Sequence, residues 1–235
     1  MPSAPWKRLF AIAPLFPFAI ALVVQANAGG DEPESLTPSA RAIRAARERG
    51  GKTDDLADIR EQPVFYRGES VTFTLQLGAQ NATWNPYLTR FDKQRYQSWQ
   101  GWADSQLLWH LENFEDPLPR LFAPRGKEAA VALSGAPRYA RFEVTAIVRT
   151  LFLGEPWIEI LTARPLELSL GEGTLLHASR ALEFAAEDSH EAAVAQYMRA
   201  LDAPMPRAME ERLRAELEES VKLSSPRSGS SGTED

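Results

Sequence analysis

Between Arg141 and Val148 the side chains alternate, with Phe142, Val144, Ala146 and Val148 on one face and Arg141, Glu143, Thr145 and Ile147 on the other. A period of two marks a β-strand with one buried face, because successive side chains point to opposite sides of the pleat. The chain then meets Gly154-Glu155 and runs on with Ile158 and Ile160 on one side and Trp157 and Glu159 on the other. Glycine accepts the positive φ of a tight reversal, so residues 141–166 read as a hairpin turning at Gly154-Glu155. Pro156 has no N–H for a ladder and leaves that side of the return strand unpaired at its start. Any fold for this chain has to contain a sheet.

More strands precede the hairpin. In "VFYRGESVTFTLQLGA", Val71, Phe73, Leu75 and Leu77 alternate with polar residues, which predicts a half-buried strand. "QNATWNPYLTR" carries Asn-Pro and reads as a loop. Tyr96, Trp99 and Ala103 would share a helix face, but Gly101 and the short length favour a bent strand over 95–103. A further strand is expected over 119–124, after the "FEDPLP" turn, and "GKEAAVAL" suits one or two turns of helix. After Gly171-Glu172-Gly173 the pattern is helical to about residue 223, and "SSPRSGSSGTED" is too polar to bury a core, so 224–235 reads as a disordered tail.

Strand, two more strands, a short helix and a long hairpin form the order of a five-stranded OB barrel, and "YARFEVTAIVRTLFLGEPWIEILTARPLE" resembles its two closing strands. The resemblance covers about 63–167 and lies in pattern, with no signature motif. "LLHASRALEFAAEDSHEAAVAQYMRALDAPMP" resembles one tetratricopeptide repeat. Ala181, Phe184, Ala193, Tyr197 and Ala200 follow that repeat's small and large alternation, in which alanines let two antiparallel helices approach and aromatics fill the gap. Asp188 or Ser189 would cap the second helix. His177 and Arg180 depart from the repeat's apolar positions, and Pro206 is displaced by one. "PRAMEERLRAELEESV" adds an amphipathic helix through Met209, Leu213 and Leu217 that suits a cap on the pair. The expected fold class is therefore α+β: a small OB-like five-stranded barrel, then a helical segment over 168–223 made of a tetratricopeptide-like hairpin (about 174–206) and a capping helix.

The N-terminus reads as an export signal. Lys7 and Arg8 precede an apolar run from Leu9 to Val24, and Ala26-Asn27-Ala28 offers the small residues a signal peptidase accepts, with the cut after Ala28. An uncleaved anchor is the alternative, although the run contains Pro14 and Pro17 and falls short of the roughly 20 residues a spanning helix needs. Residues 29–62 then form a linker, with a helix opened by Thr37-Pro38 and ended by Gly50-Gly51; its stripe is mostly alanine, which suits a weakly docked helix or an arm. The chain has no cysteine, which excludes disulfides, thiol nucleophiles, zinc-thiolate sites and a lipid anchor through cysteine, and fits an oxidising bacterial periplasm or secretion beyond it.

Charge narrows the partners. The formal charge is −6, and −8 once Lys7 and Arg8 are removed. Residues 63–167 are balanced at 11 basic and 11 acidic side chains, whereas 168–223 hold 6 against 11. Nucleic-acid binding asks for a basic surplus, so no nucleic-acid partner is expected. The expected partner is another protein or an envelope glycan, with no stable membrane insertion after cleavage.

Chemistry leaves few traces. His110, His177 and His190 are not spaced as metal ligands, and "HLENFED" sets His110 beside Glu112, Glu115 and Asp116 without the ordered spacing of a calcium loop. There is no Gly-x-Ser-x-Gly, no Gly-rich phosphate loop and no HExxH. No cofactor and no metal is expected, and the chain reads as a non-catalytic binding or adaptor module. An envelope hydrolase or metal-dependent enzyme centred on His110 is the competing reading. The candidate binding residues are Trp84, Tyr87, Trp99, Trp102, Trp109 and Trp157, which either stack on a ligand or fill the barrel.

Overall fold

The computed structural model describes residues 53–80 and 91–225. The stretches read above as an export signal, as a helix opened by Thr37-Pro38, as a loop carrying Trp84 and Tyr87 and, from residue 226, as a tail lie outside the described residues.

Five strands close into a barrel: β1 (Ser70–Gln80), β2 (Tyr96–Ala103), β3 (Leu118–Pro124), β4 (Arg141–Phe152) and β5 (Glu155–Pro165). Their order around the cylinder is β1-β2-β3-β5-β4, with β4 returning to β1. Only β3 and β5 run parallel; the other neighbours are antiparallel. Together with the helices described below, this makes the α+β class, an OB-like five-stranded barrel followed by helices, a property of the molecule.

The alternation of β1 and β4 becomes the core. Val71, Phe73, Leu75, Phe142, Val144, Ala146 and Val148 are all buried within it, joined by Trp99, Leu121, Ile158 and Ile160. Two short helices plug this core. One is α1 (Leu56–Glu61), where Asp55 accepts a hydrogen bond from Ala57 N at 2.8 Å and Leu56 and Ile59 face inward. Next in the chain, α2 (Leu111–Phe114) lies outside the plug; the other plugging helix is α3 (Glu128–Ser134), which contributes Ala129, Ala130 and Leu133. Thus the segment read as a linker supplies two core residues.

Gly101 belongs where β1 and β2 come closest. A Cβ there would lie 2.5 Å from Leu75 Cδ1 and 2.8 Å from the Gln76 carbonyl oxygen, and one on Gly78 would lie 2.6 Å from the Gln100 carbonyl oxygen. The register shifts at this point, between Leu77 and Gln80 and between Trp99 and Gly101. Both strands bend there because neither carries a side chain to hold them apart.

The β4–β5 reversal differs by one residue from the sequence expectation. β4 ends at Phe152 and β5 begins at Glu155, so the turn is Leu153-Gly154, with φ of 51° and 82°. Two left-handed residues match the right-handed twist of the strands, and glycine supplies one of them. A leucine in the other position is what the sequence rules do not anticipate.

Three helices follow: α4 (Glu172–Ala186), α5 (His190–Leu201) and α6 (Arg207–Ser224). Ala178 and Ala181 of α4 meet Ala193, Tyr197 and Ala200 of α5 in one buried cluster, with Phe184 half-buried beside it. Small residues bring the two helices together and Tyr197 fills the space between them. His177 Nδ1 lies 2.8 Å from Gln196 Oε1, which accommodates a polar residue within the pair. Ser189 occupies the cap position of α5 but makes no side-chain capping bond; Asp188 before it adopts φ 57°, a conformation its short polar side chain tolerates. Met209 and Leu213 of α6 complete the cluster.

Candidate functional site

The candidate aromatics do not share a face. Trp99 is enclosed in the barrel core at 1% exposure. Trp102 and Trp109, at 1% and 2%, lie in the second cluster, between the barrel and the helices. Trp157, at 7%, packs on the outside of the barrel with Phe91 and Phe122. All four rings are covered by protein, so none presents a surface on which a sugar or base could stack. Trp84 and Tyr87 lie outside the described residues.

The "HLENFED" cluster is divided. Asp116 forms a bidentate pair with Arg60 of α1, at 2.6 and 2.7 Å, while Glu112 and Glu115 are exposed. His110 turns the other way, with Nε2 3.1 Å from Glu216 of α6. Among the described residues no group of three or more His, Cys, Asp or Glu side chains is placed to hold a metal ion.

Glu216 is the residue sequence reasoning missed. Its carboxylate accepts hydrogen bonds from Trp109 Nε1 at 3.2 and 3.1 Å, contacts His110, and lies near enough to the Tyr197 hydroxyl to act on it electrostatically. Burial, followed by the nearby carboxylates of Glu216 and Glu219, pushes the Tyr197 hydroxyl well above the ordinary tyrosine range. Tyr197 therefore stays protonated. This cluster ties α5 and α6 to the segment after β2, and Ser179 Oγ of α4 adds a hydrogen bond to the Trp109 carbonyl at 3.1 Å. No pairwise spacing announces it, since Trp109 and Glu216 are 107 residues apart.

Beside this junction is an open groove of about 480 Å³, walled by the Leu108–Phe114 segment on one side and α4 on the other. Its floor is apolar, formed by Leu108, Trp109, Phe114, Leu175 and Leu182. Leu111 and Leu176 stand on its two rims at 69% and 49% exposure, and Glu172 and Glu183 lie along the α4 side. A helix following only the barrel and α5 would need one stripe of apolar residues; α4 carries a second, through Leu175, Leu176, Ser179 and Leu182. That excess was readable in the sequence, but what it faces was not.

A second depression, of about 420 Å³, lies on the outer barrel wall. It is lined by Phe91, Asp92, Arg95, Tyr96, Arg149 and Glu159. Glu159 is 8% exposed and already ion-paired with Arg149, so its most deeply placed charges satisfy each other. The apolar groove, by contrast, leaves leucines in water.

Among the described residues no helix is long and apolar enough to cross a membrane. No family model matches the chain, and no curated protein matches it.

Proposed function

We propose that the chain is a non-catalytic adaptor of the bacterial cell envelope, exported through its N-terminal signal, which binds another protein in the groove between the Leu108–Phe114 segment and α4. In this reading the barrel is an OB-fold module and α4 with α5 is a single tetratricopeptide-like repeat capped by α6. The barrel and the Glu216 cluster then act as a scaffold that holds the two groove walls at a fixed separation.

The observation that carries this reading is the pair of leucines on the rims of an apolar floor. Large apolar side chains left in water beside a preformed concavity are the usual mark of an interaction surface. Covering Leu111 and Leu176 would contribute about 1–2 kcal/mol each. The groove floor, already fixed by packing, loses little conformational freedom on binding. The enzyme reading centred on His110 has less support: Asp116 is paired with Arg60, and the contact of His110 with Glu216 belongs to a structural cluster.

The test is affinity capture from an envelope extract, with the chain from residue 29 onward as bait and the double variant Leu111→Gln/Leu176→Gln beside it. Both leucines are exposed, so the variant should fold. A specific protein is expected on the first bait and not on the second, and should rebind the purified chain. Identical capture by both baits would remove the groove as the binding surface.

A further inference from the structure

We infer that the occupant of this groove is a cationic amphipathic α-helix of a partner protein. It lies along α4, with its apolar stripe against Leu111 and Leu176 and its basic residues opposite Glu172 and Glu183. The inference rests on the adaptor reading and narrows it to one partner chemistry.

Backbone chemistry selects a helix. An extended segment needs an open sheet edge to receive its N–H and C=O groups, and the described barrel is closed, with every strand paired on both sides. Laid on apolar walls, a strand would leave those groups unsatisfied, whereas a helix satisfies them within itself. A helix also fits between two existing helical walls by the packing that already joins α4 to α5.

Charge selects a basic one. Glu172 and Glu183 both line the groove, and eleven residues along a helix bring them back to nearly the same face about 16 Å apart. Glu112 and Glu115 are exposed nearby in sequence but are not part of the groove lining. Two guanidinium groups are nearby. Arg138 lies over the Tyr139 and Phe114 rings, at 4.8 and 5.4 Å, and Arg180 is exposed on α4. Neither lines the groove: among the described residues its charged lining is Glu172 and Glu183, both carboxylates, in the part of the chain where acidic residues are in surplus. A partner helix with two basic residues eleven positions apart would meet both α4 carboxylates, and apolar residues four and seven positions after the first would face the leucines.

The probe is an end-blocked, fluorescently labelled 18-residue peptide built to that pattern with arginines, compared with one carrying glutamates in their place. Binding is read by fluorescence anisotropy against the chain from residue 29 onward. The arginine peptide is expected to bind at least about tenfold more tightly than the glutamate peptide, and to weaken as salt is raised. It should lose about tenfold on Glu172→Gln/Glu183→Gln, which keeps the shape, and as much on Leu111→Gln/Leu176→Gln, which keeps the charge. Unchanged circular dichroism confirms that the variants fold. Equal binding of the two peptides, or binding that survives both double variants, overturns the inference. So does tenfold tighter binding to a chain with Arg41, Arg44, Arg47 and Arg49 changed to Gln, which would assign the groove to the chain's own basic segment. A dimer dispersed by Leu111→Gln/Leu176→Gln would assign it to a second copy and overturn the inference as well. These failures differ from failure of the adaptor reading, which shows as capture indifferent to the leucines.

Discussion

Replacing Gly101 with alanine tests how closely β1 and β2 must approach. The added methyl would lie 2.8 Å from the Gln76 carbonyl oxygen and 2.5 Å from Leu75 Cδ1. An ordinary carbon–oxygen contact is about 3.3 Å or more, so the overlap with the carbonyl is about 0.5 Å. Leu75 is fully buried and has no room to swing away, and the carbonyl is part of the β1 backbone. Overpacking of this kind costs about 1–3 kcal/mol, and alanine recovers about 0.5 kcal/mol by restricting the unfolded chain. The expected net loss is about 0.5–2.5 kcal/mol, which at a urea slope of about 2 kcal/mol per molar lowers the midpoint by about 0.3–1.2 M. Tryptophan fluorescence reports it, because Trp99, Trp102 and Trp109 are all buried. Gly173→Ala is the internal control: nothing lies within 4 Å of its Cβ position in α4, so the same substitution should stabilise by about 0.5–1 kcal/mol. An unfolding midpoint for Gly101→Ala within about 0.2 M of the parent, with Gly173→Ala raised, would refute the close-approach argument.

Three further outcomes are expected. Leu153→Asn should raise stability by about 1 kcal/mol in urea unfolding, since Leu153 is 81% exposed and held at φ 51°, where asparagine is less strained. Glu216→Gln should cost about 1–2 kcal/mol by weakening the acceptor of Trp109 Nε1, whereas His110→Ala should cost less than about 1 kcal/mol because His110 is half-buried at the edge of the cluster. Tyr197→Phe should flatten the alkaline loss of stability. The native pKa of Tyr197 is raised, so its contribution is complete below about pH 10 and declines above it, where the unfolded chain ionises and the native one does not. Urea midpoints from about pH 8 to about pH 11 should fall less steeply in the variant, with a residual slope from Tyr139 and Tyr66, which burial also raises.

Much of the fold was written in periodicity. Strict alternation in 70–77 and 141–148 yielded β1 and β4, and the glycine that argued against a helix over 95–103 proved to sit where two strands touch. The alanine spacing in α4 and α5 likewise became their interface. Short elements were hidden. With six residues and two apolar anchors, α1 has too little sequence for a period to show, yet both anchors reach the barrel core. The candidate site was less legible. Tryptophan looks alike in sequence whether it fills a core or waits for a ligand, and the outer barrel wall is itself covered, so Trp157 and Ile158 are both buried despite pointing opposite ways. The groove depends on segments more than fifty residues apart, and only the fold sets Leu111 opposite Leu176.

One line along the barrel is held by very little backbone. β3 and β5 match for only Leu121 with Ile158 and Phe122 with Glu159, a seam two rungs long. Rings straddle it from outside: Phe122 and Trp157 come from its opposite banks, with centroids 6.2 Å apart, and Phe91 lies 4.2 and 5.8 Å from them. Packing of tilted aromatic rings here does the job that hydrogen bonds do elsewhere around the cylinder. These rings form a clasp, and a molecule that unlatches first at this clasp would open like a book along β3 and β5 while its long hairpin stayed shut.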